Sequence, residues 1–421
     1  MSTTKFVRCR GVIDGTDVGL REGAGLLVRD GRVAAVTSRD QVSGPDLTVL
    51  DFSDYYLVPG FVDAHTHVTI RPGEGDQHGQ LQGPAAWQAI RGVANLGGML
   101  RSGVTTARIM TEVHDIDFGF KERIALGQVI GPRLHVSGPG LSPPGGHGSA
   151  GAGVSGPENL REAVRRNAGK GADHIKMFTT GGVSSSGTAL ETSAYSGEEI
   201  AATIDEAGKH GLPVSAHAHG GPGAELAVDA GIHSIEHGAL LTEDIIGKMR
   251  HRGTWLVATN SILFHPTGIE QGDASEPSIM SKVTQARAAA EVSLGLVRRA
   301  GLRVAVGTDS MHGLIGFEME WLVRHGWTEL EAVIAGTASG AAVLRDSSCG
   351  TLEPGKRADF ALLRRNPLTD ITAVYEVDHV FRSGRQVADN AAGVLSVPPR
   401  SDLGGLMADG HVPGKGAGRA G

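Results

Sequence analysis

Histidines, one lysine and one aspartate stand at the ends of short apolar runs in this chain. The stretch "VPGFVDAHTHVTI", residues 58–70, carries His65 and His67 two apart. "HIKMF" carries Lys176, "PVSAHAH" carries His217 and His219, "SIEHG" carries His237, and "RVAVGTDS" carries Asp309. In a strand, residues i and i+2 share a side, so His65 and His67 point the same way and one metal ion can take both. Helical spacing would need i and i+4. Alone, an HxH is more often two surface or core histidines. The other strand-end residues change that weighing, because imidazole and carboxylate together are the ligand set preferred by zinc and related divalent ions.

Lys176 needs a separate argument. An ammonium has no lone pair and does not bind metal. In a pocket with cations its pKa falls and it becomes nucleophilic. It can then capture carbon dioxide as a carbamate, a carboxylate analogue able to bridge two metals. The competing reading is a plain lysine paired with an acid, and position alone does not choose.

The elements that must position these residues are readable from pattern. Eight short apolar strands alternate with helix-like stretches between about 60 and 348: "LVPGFVDAH", "GVTTARIM", "RLHVSG", "HIKMF", "PVSAHAH", "SIEHG", "TWLVAT" and "RVAVGTDS". Several intervening helices end in Gly, a usual stop. The alternation reads as a (β/α)8 TIM-like barrel in the α/β class, whose chemistry collects at the C-terminal strand ends. Both chain ends are strand-rich, with an Asp30-Gly31 hairpin turn near the start and Ser383-Gly384 near the other end. We expect 1–59 plus 349–395 to form a small β-sandwich domain, 60–348 the barrel, and 396–421 a loosely ordered tail rich in Gly and Pro.

Composition narrows the partners. The chain has 421 residues, 40% of them hydrophobic, with 39 Lys and Arg against 46 Asp and Glu. That mildly acidic balance argues against nucleic acid or an anionic membrane surface. No run of about 20 apolar residues suggests a membrane span, and the N-terminus lacks the apolar core of a signal peptide. Cys9 and Cys349 are the two cysteines, and no CxxC exists, which fits a reducing, cytoplasmic setting. A small-molecule substrate and a homo-oligomer are expected.

The motifs "GFVDAHTH", "HIKMF" followed by "TTGGVSSSG", "SAHAHG", "SIEHG" and "GTDS", in that order, resemble the amidohydrolase superfamily, in its imidazolonepropionase-like and Xaa-Pro dipeptidase-like branch. "GTLEPGKRADFALLRRNPL" looks like the closing β-sandwich segment of that family. The likeness spans about residues 10–390. It implies that His65 and His67 bind the more buried metal. A carboxylated Lys176 would bridge both metals, and His217 and His237 would bind the second. Asp309 would contact the first metal and take the proton of a bridging water. Single-metal branches lack the lysine, so its presence implies two divalent ions, zinc by donor type. Two cations acidify a bridging water near neutral pH.

The expected activity is hydrolysis of a C–N amide-type bond in a dipeptide, an N-acyl amino acid, or a carbamate or urea of similar shape. A deaminase or a lactone or cyclic-amide hydrolase on the same scaffold is the alternative. A non-catalytic descendant is disfavoured because all six ligand positions are kept.

For the substrate, four further residues stand out. His147 in "PPGGHGSAG" follows the third strand, and a related His in such a loop reaches over the site. His219 shares a face with His217 and is expected to act behind or beside the metals. Tyr195 lines the pocket or merely starts a helix. Gly182, with Gly181, lets substrate approach the backbone. Arg108, Arg71 or His147 can anchor a carboxylate. Three patterns are rejected. "GHGSAG" and "GAGVSG" fit GxGxxG but lie in a Gly-rich loop after Pro143-Pro144, with no strand entering the turn. "HSIEH" fits HxxEH, but Gly231 and Gly238 bracket it too closely for a helix. No GxSxG elbow exists. The family's usual TTVRD reads "TTARIM" here, with Ile109 in place of the acid, and its SGG reads Thr180-Gly181-Gly182.

Overall fold

The computed structural model describes residues 4–44, 46–149, 153–185 and 187–396. The tail expected from 396 onward lies outside these residues apart from Ser396. The chain opens with five strands: β1 (Thr4–Ile13), β2 (Leu20–Glu22), β3 (Gly25–Arg29), β4 (Arg32–Thr37) and β5 (Leu47–Pro59). Asp30 and Gly31, at φ 49° and 77°, make the turn from β3 to β4, a conformation that Asp and Gly reach more readily than most residues.

Eight strands follow: β6 (Phe61–Thr66), β7 (Val104–Ile109), β8 (Arg133–Val136), β9 (Ile175–Phe178), β10 (Val214–Gly220), β11 (Ser234–Leu240), β12 (Trp255–Ala258) and β13 (Val304–Val306). The chain then adds β14 (Phe360–Leu363), β15 (Val377–Arg382), β16 (Arg385–Asp389) and β17 (Val394–Leu395). These last four join the first five in one nine-stranded sheet, ordered β17-β16-β15-β14-β5-β1-β3-β4, with β2 on β1. The two chain ends meet where β14 runs antiparallel to β5, Phe360 opposite Pro59. Alternation along β1 explains how this sheet is buried on both faces. Val7 joins Leu26, Leu57, Phe360 and Phe381 on one side, while Phe6 meets Leu27 and Val42 on the other.

The eight central strands are parallel and form two arcs, β6-β7-β8 and β9-β10-β11-β12-β13. Every residue of β9 and β10 is buried, as parallel strands covered on both faces require. The arcs touch at both seams. Beyond β8, the Leu141 N–H donates to the Lys176 carbonyl (2.8 Å) and the Phe178 N–H donates to the Leu141 carbonyl (2.9 Å). On the far side, the Asp309 N–H donates to the His65 carbonyl at 2.8 Å. The expected barrel is thus two arcs bridged at their edges, without a continuous ladder. The register of β6 shifts between Asp63 and Thr66, and β13 is three residues long, too short to extend the pairing.

The helices between strands follow local chemistry. Gly197–Lys209 starts at a capping box in which Ser196 and Glu199 satisfy each other's backbone N–H groups. Glu243–Arg252 and Pro277–Ala300 stop at Gly253 and Gly301, at φ 71° and 63°. Cys9 and Cys349 are buried and not joined in a disulfide. No helix of the described residues is long and apolar enough to cross a membrane.

Candidate metal centre

The C-terminal ends of the parallel strands bring the candidate ligands together. His65, His237 and Asp309 each offer a ligand atom within 4.8 Å of the others. His65 Nε2 and His67 Nε2 lie 3.3 and 3.4 Å from Asp309 Oδ1. The rings of His217 and His237 are 4.5 Å apart. Lys176, on the neighbouring strand, holds its Nζ 5.2 Å from the centre of the Phe178 ring, which is itself 5.5 Å from His217. The convergent trio takes one histidine from each of the two pairs that the resemblance had assigned to separate metals.

Backbone strain marks the same place. His237, Asp309 and Ser310 have φ of 74°, 46° and 71°, although none is glycine. Such conformations cost roughly 1–3 kcal/mol each and persist where the surroundings enforce them. The kink at His237 breaks strand alternation, so Glu236 and His237 both reach the site region.

The donor set fits a metal on its own chemistry. Lys176 is 1% exposed and its Nζ has no hydrogen-bond partner. Burial drives its pKa down to about 8, although Glu236 and Asp309 pull the other way. Burial also pushes His217 and His237 well below the ordinary imidazole range, which keeps them neutral, the form that donates to a metal. Burial alone would raise Asp309. The charge of His65 and hydrogen bonds from His65 and His67 overcome it and hold the carboxyl far below its usual value.

Contacts behind the ligands set which nitrogen faces the centre. Glu236, fully buried, bonds His65 Nδ1 at 2.7 Å, and the Thr111 carbonyl accepts from His67 Nδ1 at 3.0 Å. Both histidines therefore present Nε2. Thr259 Oγ1 lies 2.7 Å from His237 Nδ1, and His217 Nε2 meets the Gly181 carbonyl at 3.1 Å. Asp63 accepts from the N–H and hydroxyl of Thr308, fastening the strand before Asp309 to β6.

Glu236 was missed in the sequence. The available signal was an acid inside an otherwise apolar strand, directly before a ligand. Gly307 was missed too. A Cβ there would stand 2.5 Å from the His65 backbone nitrogen and Cβ. Gly307→Ala is therefore expected to destabilise the protein by about 1–3 kcal/mol and to lower bound metal per chain. Thermal unfolding and elemental analysis read both, and an unchanged metal content would show that His65 tolerates the push.

The ligands floor a cavity of about 850 Å³. His147 and His219 line it. His147 packs 4.3 Å from the His217 ring, over Gly182, where a Cβ would meet its imidazole at 2.3 Å. Gly182 thus makes room for His147, and the expectation that it admits substrate is corrected to that role. Tyr195 takes the helix-entry alternative and not the pocket one, directly before the Ser196 cap. Its ring is in the core and its hydroxyl donates to the Val154 carbonyl, away from the cavity. Neither arginine is available as an anchor. Arg108 is buried in a two-pronged pair with Glu236, both contacts 2.8 Å, and Arg71 bonds Asn95 and Glu74.

A model of the family described as "Amidohydrolase family" matches residues 56–387. Ochratoxinase of Aspergillus niger is 30% identical over 371 residues, covering 78% of this chain and 75% of that protein. Its crystal structure matches with a TM-score of 0.82 at 26% identity, over 93% of this chain and 97% of that one. A prolidase complexed with N-methylphosphonate-L-proline matches at 0.83 and 28% identity, over 92% and 100%. A Xaa-Pro dipeptidase with methionine in its active site shares the fold, with a TM-score of 0.84 at 24% identity over 91% and 99%. The fold is accordingly a TIM barrel with an additional domain.

Proposed function

The chain belongs to the amidohydrolase family, a metal-dependent hydrolase of C–N bonds, and from that premise we propose that it cleaves an amide-type bond in a small molecule with Asp309 moving the proton. The substrate class is a dipeptide, an N-acyl amino acid, or a carbamate or urea of similar shape. The observation that carries this reading is the convergence of His65, His237 and Asp309 within 4.8 Å on the floor of the cavity.

His65, His67, Lys176, His217, His237 and Asp309 would hold two divalent ions, zinc by donor type. When bound, such ions supply Lewis-acid activation of water and of the scissile carbonyl. The remaining work belongs to the chain. Lys176 Nζ, buried and unpartnered, adds carbon dioxide, forming an N–C bond and losing a proton, and thereby becomes an anionic ligand. Asp309, kept ionised by its histidines, takes the proton of the attacking water and delivers it to the departing nitrogen. Glu236 and the Thr111 carbonyl keep the His65 and His67 rings turned for this work. Water is excluded from beneath the site by the packed strands of the two arcs.

The test is a screen of the metal-loaded protein against dipeptides, N-acyl amino acids, aryl ureas and thiocarbamates, with separate detection of freed amine and of ammonia. Freed amine is expected. Ammonia alone would point to deamination, and ring opening without a leaving group to a cyclic substrate. Elemental analysis should return about two ions per chain. Prolonged dialysis against a chelator should abolish turnover, and added zinc should restore it. Full activity in metal-free protein would sink the reading.

A further inference from the structure

The helix Ala85–Arg101 is apolar on the side that a surface helix gives to water. Its outer face carries Trp87, Ile90 and Val93, which are 71%, 72% and 49% exposed. Trp87 and Ile90 are the two most exposed large apolar side chains of the described residues. The inner face holds two polar residues, Gln88 and Asn95, among Leu96, Met99 and Leu100. Gln88 Nε2 donates to the Leu81 and Gly83 carbonyls, and Asn95 Nδ2 donates to the Val68 carbonyl.

At 3.6 residues per turn, Ala86, Trp87, Ile90, Val93 and Ala94 fall within about a third of the helix circumference. Leu395 closes this stripe at its far end, its Cδ1 placed 3.3 Å from where a Cβ at Gly97 would stand. A helix with apolar residues on both sides belongs between two partners. The barrel covers one side, and no element of the described residues covers the other.

Charge, shape and area all suit a second copy of this chain. Arg91 is the one charged residue between positions 85 and 97. It stands beside the stripe and is already engaged, with Nη2 3.1 Å from Glu74 Oε2 and Nη1 donating to the Thr69 carbonyl at 3.3 Å. Two such faces therefore meet without like charges confronting one another. The bulk of the stripe lies at one end, in Trp87, and the small Ala94 lies at the other, with Ile90 between them. An antiparallel copy sets each Trp87 over the smaller end of the opposite stripe. The exposed apolar atoms of residues 84–94 present roughly 400–500 Å², a large patch for a monomer. A standard interface buries about 800 Å² per partner, roughly 55–65% of it apolar, so this patch supplies the apolar share of one side.

We propose that the outer face of the helix Ala85–Arg101 is an interface between two copies of this chain. The copies pack helix on helix about a two-fold axis close to Ile90, with Trp87 and Ile90 as the anchors.

Sedimentation velocity of the full chain over a wide concentration range tests the interface. The wild type should be a dimer or a higher even-numbered assembly. Trp87→Glu and Ile90→Glu should each weaken association at least ~30-fold, the threshold for an interface hot spot. Val292→Glu is the control, since Val292 is 64% exposed on a different helix, Pro277–Ala300, and it should leave association unchanged. A wild type that is monomeric throughout overturns the interface. An assembly that the two stripe variants leave intact also overturns it, because another surface then joins the copies, and so does equal loss in all three variants. A monomer that associates only after residues 397–421 are removed gives the face to that segment of its own chain and overturns the second copy. Where a glutamate variant fails to fold, crosslinking decides. Cys9 and Cys349 are buried, so a bismaleimide should act at the introduced thiol of Ile90→Cys or of Val292→Cys. A covalent dimer in Ile90→Cys and none in Val292→Cys supports the interface. No dimer, or equal yields in both, overturns it.

Discussion

Asp309→Asn should reduce turnover by about 10²–10⁴-fold, the range for removing a positioned proton-transfer group, while the protein stays folded. Two features separate these effects. Asparagine has the shape of aspartate and tolerates a left-handed backbone, so the φ of 46° at this position does not penalise the variant. The Asp309 N–H still donates to the His65 carbonyl, so the seam between the arcs is kept. The substitution removes the ability to accept a proton, along with the charge facing His65, His67 and His237. Metal content must be measured beside rate. A variant that retains metal and loses turnover supports the proton-transfer role, and a metal-free variant shows instead that the carboxylate is needed first as a ligand. Full turnover in Asp309→Asn would remove the proton-transfer role altogether.

Glu236→Ala should be the most destabilising single change at the site. Glu236 is fully buried and holds three partners. Arg108 Nη2 contacts both of its oxygens, Ser234 Oγ donates at 2.5 Å, and His65 Nδ1 lies at 2.7 Å. Its carboxyl is held well below the usual range. Burial opposes this, and the Arg108 charge and the His65 hydrogen bond outweigh burial. Truncation strands the Arg108 guanidinium in the barrel interior. Breaking a buried pair in this way costs about 3–5 kcal/mol, read as a lowered midpoint in denaturant. Loss of the contact that orients His65 should also weaken metal binding about 10–100-fold. The double variant Arg108→Met with Glu236→Ala tells the two effects apart. It should recover much of the stability, because no charge is left stranded, yet little of the metal affinity. Recovery of both would mean that Glu236 serves packing and does not position His65.

Much of this arrangement was legible in the sequence, for a reason that can be stated residue by residue. Strand alternation put His65 and His67 on one side, and the apolar runs carrying Lys176, His217, His237 and Asp309 each contain a strand ending at the same rim. The glycine stop at 253 and the Asp30-Gly31 turn appear where backbone conformation demands them. These features depend on neighbours within a few positions, which a sequence displays directly.

What was left open or misread has the opposite character. Of the two readings of Tyr195, pocket lining and helix entry, the second holds: it directly precedes the Ser196 cap, and its hydroxyl is claimed by Val154, 41 positions earlier. Gly182 was read as a backbone opening, but His147 fills the space above it. Arg108 looked like a free cation, and Glu236, 128 positions on, takes it.

The sequence by itself displayed the candidate ligand types, the strands that carry or precede them and the alternation of strands with helices, because local periodicity and backbone preference encode those. Only the tertiary structure decided which histidine nitrogen faces the centre, which arginine is buried and which acid holds it. Each of those outcomes is a pairing between residues far apart in the chain. A side chain's partner, and with it its charge and direction, exists only once the two arcs have closed upon one another.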